Sequence, residues 1–123
     1  MKIVSTQKAP AAIGPYSQAV IINGILYSSG QIPIDPQIGV LVEGDITKQT
    51  EQVVRNIVAL LNEAGSNLSR VIKTTCFLKN MNDFAAFNEI YGKHFTSQPA
   101  RSCVEVSALP KNALVEIEVI AEV

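Results

Sequence analysis

Two short charged stretches near the C-terminus carry the residue types that chemistry on a small carboxylic acid would need. In Ala100-Arg101-Ser102-Cys103-Val104-Glu105 the two-residue period of a strand puts Arg101, Cys103 and Glu105 on one face. Val115-Glu116-Ile117-Glu118 repeats the alternation. If the two segments form a hairpin turning at Pro110-Lys111, the face that holds Arg101 and Cys103 also holds Glu116 and Glu118. A guanidinium there offers a planar fork to a carboxylate, and a neighbouring glutamate can move a proton or hold a water. That register sets Glu105 opposite Glu116, a like-charge pair unfavourable by a few tenths to ~1 kcal/mol. The register therefore stays open, as does the plainer reading of a solvated charged face.

Other candidates are polar insertions in apolar surroundings. Ile13-Gly14-Pro15-Tyr16-Ser17-Gln18 is a turn before a strand, and Tyr16 reads either as a packing aromatic or as a site hydroxyl. Ser28-Ser29-Gly30-Gln31 brings hydroxyls and a flexible backbone amide to a strand end, suited to loop chemistry or to a small anion. His94 follows Lys93 at the end of a predicted helix, where both suit the helix dipole; this structural reading is preferred to a catalytic one. Cys103 reads as a nucleophile or, with no histidine beside it in sequence, as a small apolar filler.

The rarer residues exclude whole classes of chemistry. Cys76 and Cys103 are the only cysteines and form no Cys-x-x-Cys pattern, and His94 is the single histidine. Neither a disulfide framework nor a zinc or two-histidine metal site is indicated. The glycines match neither a phosphate loop nor a dinucleotide fingerprint. Ten Lys and Arg against eleven Asp and Glu give a net charge of −1, which leaves no footprint for nucleic acid or an anionic membrane. No apolar run approaches the ~20 residues of a membrane span, and no basic-then-apolar leader is present, so a soluble cytoplasmic protein is expected.

The elements that must position these residues come in a legible order. The 123 residues suit one domain, and a hydrophobic share of 47% is ample for a core. Residues 19–23 and 25–29 flank Asn23-Gly24, the dipeptide of a tight hairpin turn. Residues 31–45, rich in Pro, Gly and Asp, read as an ordered loop with a short edge strand near Val40-Leu41-Val42. Apolar residues at steps of three and four predict a helix from Ile46 to Ala64, capped by Asp45 or Thr47 and stopped by Gly65. A strand follows at 71–79, then a helix over 83–95 whose stripe of Phe84, Phe87, Ile90, Tyr91 and Phe95 reads as core. Strands at 101–107 and 113–122 close the chain. This order predicts an α+β fold with two helices on one face of a mixed sheet. Because strands such as 19–22 and 71–78 are apolar on both sides, the second face is expected to be buried against copies of the same chain.

Three segments carry a family resemblance. Ala-Pro-Ala-Ala-Ile-Gly-Pro-Tyr-Ser-Gln (9–18), Ser-Ser-Gly-Gln-Ile-Pro (28–33) and Pro-Ala-Arg-Ser-Cys-Val-Glu-Val (99–106), the last followed by Val-Glu-Ile-Glu (115–118), resemble the RidA family of enamine/imine deaminases over nearly the whole chain. Thr96-Ser97-Gln98 is short for that family. The resemblance implies a chorismate-mutase-like α+β fold, a homotrimer with a cleft at each subunit interface, no cofactor, and hydrolysis of small 2-enamino or 2-imino acids such as 2-aminoacrylate to 2-oxo acids. Carried over by position, it implies that Arg101 holds the substrate carboxylate and Glu116 activates water. Tyr16 and Ser29 would polarise the imine or hold that water, Gly30 and Cys103 would offer backbone groups, and Asn88 would shape the pocket. The alternative use of the same cleft is a metabolite-binding regulatory module. Ribonuclease activity, a name attached to some family members, is opposed by the charge balance and the lone His94.

Overall fold

The computed structural model describes residues 1–123. Three strands open the chain: β1 (Lys2–Val4), β2 (Ala19–Ile22) and β3 (Ile25–Ser28). β2 and β3 form the expected hairpin, with Asn23 at φ 51° and Gly24 at φ 77°, the left-handed pair that a two-residue turn requires. β1, three residues long, is too short for its alternation to show in sequence. The loop that follows contains a small sheet of its own, in which β4 (Ile34–Asp35) pairs with β5 (Val40–Leu41).

Helix α1 (Ile46–Glu63) begins where Asp45 accepts a hydrogen bond from the Lys48 N–H at 3.0 Å, and the chain leaves it at Gly65, φ 78°. β6 (Val71–Leu78), α2 (Phe84–His94), β7 (Ala100–Glu105) and β8 (Val115–Glu122) complete the chain. Both helices cover one face of a six-stranded mixed sheet of order β1-β2-β3-β8-β6-β7, which is the α+β architecture the pattern predicts. The helices meet each other partly through His94, whose Nε2 lies 2.9 Å from Glu51 Oε2, a structural use of that residue.

One expectation is overturned. β7 and β8 do not form a hairpin: β6 lies between them, parallel to β7 and antiparallel to β8. The burial patterns give the reason. Every second residue of β8 (Val115, Ile117, Val119, Ala121) is fully or almost fully buried, which demands a central position, whereas β7 is exposed along most of its length and takes the edge. The 106–114 connection passes the end of β6, where Val106 N–H donates to Leu78 O and Lys79 N–H to Leu114 O. Lys111 and Asn112, at φ 56° and 61°, belong to this longer crossing.

The segment between β1 and β2 is fastened by a buried side chain. Gln18 Oε1 accepts from Thr6 N–H at 2.7 Å, while its Nε2 faces the carbonyls of Thr6, Ala9 and Pro10 at 3.0, 3.3 and 2.8 Å. Gln18→Ala strands these groups, and urea unfolding at fixed protein concentration is expected to show a loss of about 2–3 kcal/mol.

The sheet's second face is bare. Ile22, Tyr27 and Val104 on it are 47%, 43% and 46% exposed, and Val20, Phe77 and Ile120 lie among them. No helix of the chain is long and apolar enough to cross a membrane.

Candidate functional site

Arg101 enters its site from the sheet edge. In the ladder it stands beside Thr74, whose Oγ1 lies 2.7 Å from the Tyr91 hydroxyl, so the arginine is on the helix-covered face. Its guanidinium lies 4.7 Å from the centre of the Tyr91 ring and 5.5 Å from that of Phe84, and Nη1 donates to Asn88 Oδ1 at 2.7 Å. No carboxylate of the chain pairs with it. The result is a cation held by two rings and one amide at the wall of an open cleft of about 560 Å³, which also includes Gln98 and Pro99. Sequence reading placed Phe84 and Tyr91 only in the core stripe. The signal that they share a face with Asn88 was their spacing of four and three on α2.

Glu116 lies elsewhere. Its ladder partner is Phe77, in turn the partner of Val104, and this row belongs to the bare face. Arg101 and Glu116 are therefore on opposite faces of the sheet, two strands and three rows apart, about 14 Å along the backbone lattice before the sheet's thickness is added. The expected grouping of Arg101 and Cys103 with Glu116 and Glu118 on one face is thus corrected. It depended on the hairpin, and inserting β6 changes the parity. Glu105 remains on the Arg101 face but turns away, its Oε1 accepting from Met81 N–H at 2.8 Å.

Glu116 is half-buried because the 28–31 segment bulges out of the ladder beside it. Ser28 Oγ accepts the Val119 N–H at 2.9 Å in place of a strand carbonyl, and the chain rejoins β8 only at Gln31 and Ile117. Between them Gly30 presses on Glu116 so closely that a Cβ would lie 2.5 Å from Oε2. Burial pushes the Glu116 carboxyl above its ordinary value, with Glu118 adding to the rise. The Gly30 N–H has no partner, leaving a donor free for a ligand. Ser29 Oγ donates to Ser17 O at 2.6 Å, so what it offers a ligand is its lone pairs. Tyr16, 54% exposed, joins Gly30 in lining a cleft of about 280 Å³ that Pro110 and Lys111 close from the other side. The largest hollow, about 620 Å³ along the N-terminal segment, has no charged residue in its wall.

Cys103 stands opposite Cys76 in the ladder, packed against the core. Burial raises the Cys103 thiol, and raises that of Cys76 to about 12. This suits packing rather than attack. The candidate residues thus fall into two separate groups, Arg101 with Asn88 and Cys103 on the helix face, and Glu116 with Gly30 and Ser29 around the bulge, with Tyr16 in the cleft that Gly30 lines.

Two helices on a mixed sheet, with an arginine free of any acidic partner at one edge and a half-buried glutamate behind a glycine bulge, define a class of small α+β proteins. Comparison with known proteins makes this specific: the model of the family described as "Endoribonuclease L-PSP" matches residues 6–123, and the chain belongs to that family, the Rid proteins. A Lactococcus lactis protein bearing a regulator's name, AldR, is 61% identical over 124 residues, 100% of this chain and 98% of its own. The mouse 2-iminobutanoate/2-iminopropanoate deaminase is 49% identical over 98% of this chain and 90% of its own. A Rid-family crystal structure from Yersinia pestis superposes with a TM-score of 0.97 at 58% identity, covering 99% of this chain and 98% of the other.

Proposed function

We propose that this protein hydrolyses small 2-imino acids, and the 2-enamino acids that tautomerise to them, in clefts between adjacent copies of a cytoplasmic homotrimer. Water adds to the imine carbon, the C–N bond breaks, and a 2-oxo acid and ammonia leave. The observation that carries this reading is Arg101, a guanidinium immobilised by Asn88, Tyr91 and Phe84 with no acidic partner of its own. It is preorganised for a carboxylate from outside the chain. An imine carbon is already electrophilic, so positioning plus one proton acceptor suffices. Glu116 supplies that acceptor, Gly30 N–H binds the developing negative charge, and Tyr16 and Ser29 orient the water. The name of the mouse deaminase supports the same substrate class.

Because Arg101 and Glu116 occupy opposite faces, a complete site takes one from each of two neighbouring copies, and the bare apolar face is the surface that joins them. A test follows from this arrangement. Subunits carrying Arg101→Ala and subunits carrying Glu116→Gln are each expected to keep about a tenth or less of the unmodified rate at low substrate in a serine or threonine dehydratase reaction followed by keto-acid appearance. Unfolded and refolded together at equal amounts, they are expected to recover about one quarter of the unmodified rate, the share of interfaces in a closed ring that unite both intact residues. No recovery, or a monomer by light scattering at micromolar concentration, would count against the shared site. A second reading, a metabolite sensor, is favoured by the name of the Lactococcus relative. It needs Arg101 but predicts that Glu116→Gln leaves function intact.

A further inference from the structure

We infer that Asn56, supported by Gln52 and Gln49 along α1, is a positioning residue for the Glu116 half of the site, anchoring the loop that closes over that carboxylate. The inference rests on the role of Glu116 proposed above. Three amides at steps of three and four occupy the buried side of α1, where an uncompensated polar group costs free energy. Each is compensated, and the bonds that leave the helix go to the backbone around Glu116 and the loop before it. Asn56, fully buried, donates through Nδ2 to Ile32 O at 3.1 Å and Ile34 O at 3.0 Å, and its Oδ1 accepts from Gln52 Nε2 at 3.0 Å. Gln49 Oε1 accepts from Leu114 N–H at 2.9 Å, two residues ahead of Glu116, and its Nε2 donates to Val42 O at 3.3 Å.

The loop is thus held from two sides. At one end Gln31 exchanges backbone hydrogen bonds with Ile117, at 2.8 and 3.1 Å, next to Glu116 in sequence. At the other Asn56 grips Ile32 and Ile34. Gly30 precedes these anchors outside any regular strand or helix, so its pressure on Glu116 depends on them. Within the chain few other groups act on that carboxylate: Phe77 faces it from β6, Gly30 from the loop, and the charge that reaches it is Glu118 on its own strand; in the shared site proposed above, Arg101 of the partner subunit faces it as well. A slack loop would admit water beside Glu116 and move the Gly30 N–H away from it.

Carbon-13 NMR titration of the Glu116 carboxyl and steady-state kinetics test this together. In Asn56→Ala the carboxyl is expected to titrate roughly half a unit or more below its position in the unmodified protein. Turnover should fall about tenfold or more with KM changed less than about threefold, since the Arg101 cleft is untouched. Leu61→Ala, a core truncation further along α1, serves as the stability control and should leave the titration in place. Gln52→Ala keeps both loop carbonyls bonded and should move both readouts in the same direction by less; it decides the matter if Asn56→Ala does not fold. Unchanged titration and turnover in the folded variants would overturn the inference. Absence of deaminase activity in the unmodified protein would overturn the functional reading alone, because the titration still reports on Asn56.

Discussion

Arg101→Ala is expected to lower kcat/KM for keto-acid formation about 10- to 150-fold, the equivalent of one charge-assisted carboxylate interaction of ~1.5–3 kcal/mol. The loss should fall mainly in KM, because a carboxylate grip exists before and during the reaction alike. The assembly should survive, since Arg101 lies on an edge strand and its contacts are to Asn88 and two rings of its own chain. Arg101→Lys is the sharper probe. It keeps the charge but loses the fork and the stacking plane that Tyr91 supports, so it should recover only a small part of the loss. Full activity in Arg101→Ala, with the oligomer intact by light scattering, would remove the arginine from the mechanism.

Glu116→Gln should have the larger effect on turnover, about 10²- to 10⁴-fold in kcat, with KM little changed, because the proton acceptor acts in the transition state. The pH dependence supplies an independent check. The active form of Glu116 is the carboxylate, and its pKa lies above the ordinary 4.5 because burial and Glu118 both oppose ionisation. kcat/KM should therefore drop as pH falls through that raised value, and the drop should vanish from the residual activity of Glu116→Gln. Stability should move the opposite way. With the folded pKa above the unfolded one, the folded state binds the proton more tightly, so this group stabilises most below pH 4.5 and that contribution fades as pH rises through the folded pKa. At neutral pH Glu116→Gln should thus be at least as stable as the unmodified protein while nearly inert. A variant both inert and unstable at neutral pH would point to a structural role for the carboxylate.

Much of the fold is readable from residue order because the signals involved are local. Asn23-Gly24 dictates its turn, Asp45 and Gly65 bracket α1, and the aromatic stripe of α2 has the period that buries it. The absence of direct β7–β8 pairing is not legible in the sequence for the same reason. Pro110-Lys111 resembles a turn, and nothing nearby says that Val71–Leu78 is to lie between the strands that flank it. Gln49, Gln52 and Asn56 carry no signal of their role in sequence, because amides within an apolar stripe look like surface positions until the backbone groups they serve are in place. Gly30 reads in sequence only as a flexible residue, but the need for glycine there arises from the Glu116 side chain, far away in the chain.

Periodicity, turn chemistry and short motifs, all local in the chain, specify the elements, the α+β class, the family and the residue types of the candidate site. That Arg101 and Glu116 stand on opposite faces of the sheet emerges from the strand pairing alone. Which face a strand residue occupies depends on its register with strands distant in sequence, and here that register depends on β6 pairing parallel on one side and antiparallel on the other. The strand whose alternate residues must be wholly buried takes the centre, the exposed one takes the edge, and the two charged groups are separated as a consequence.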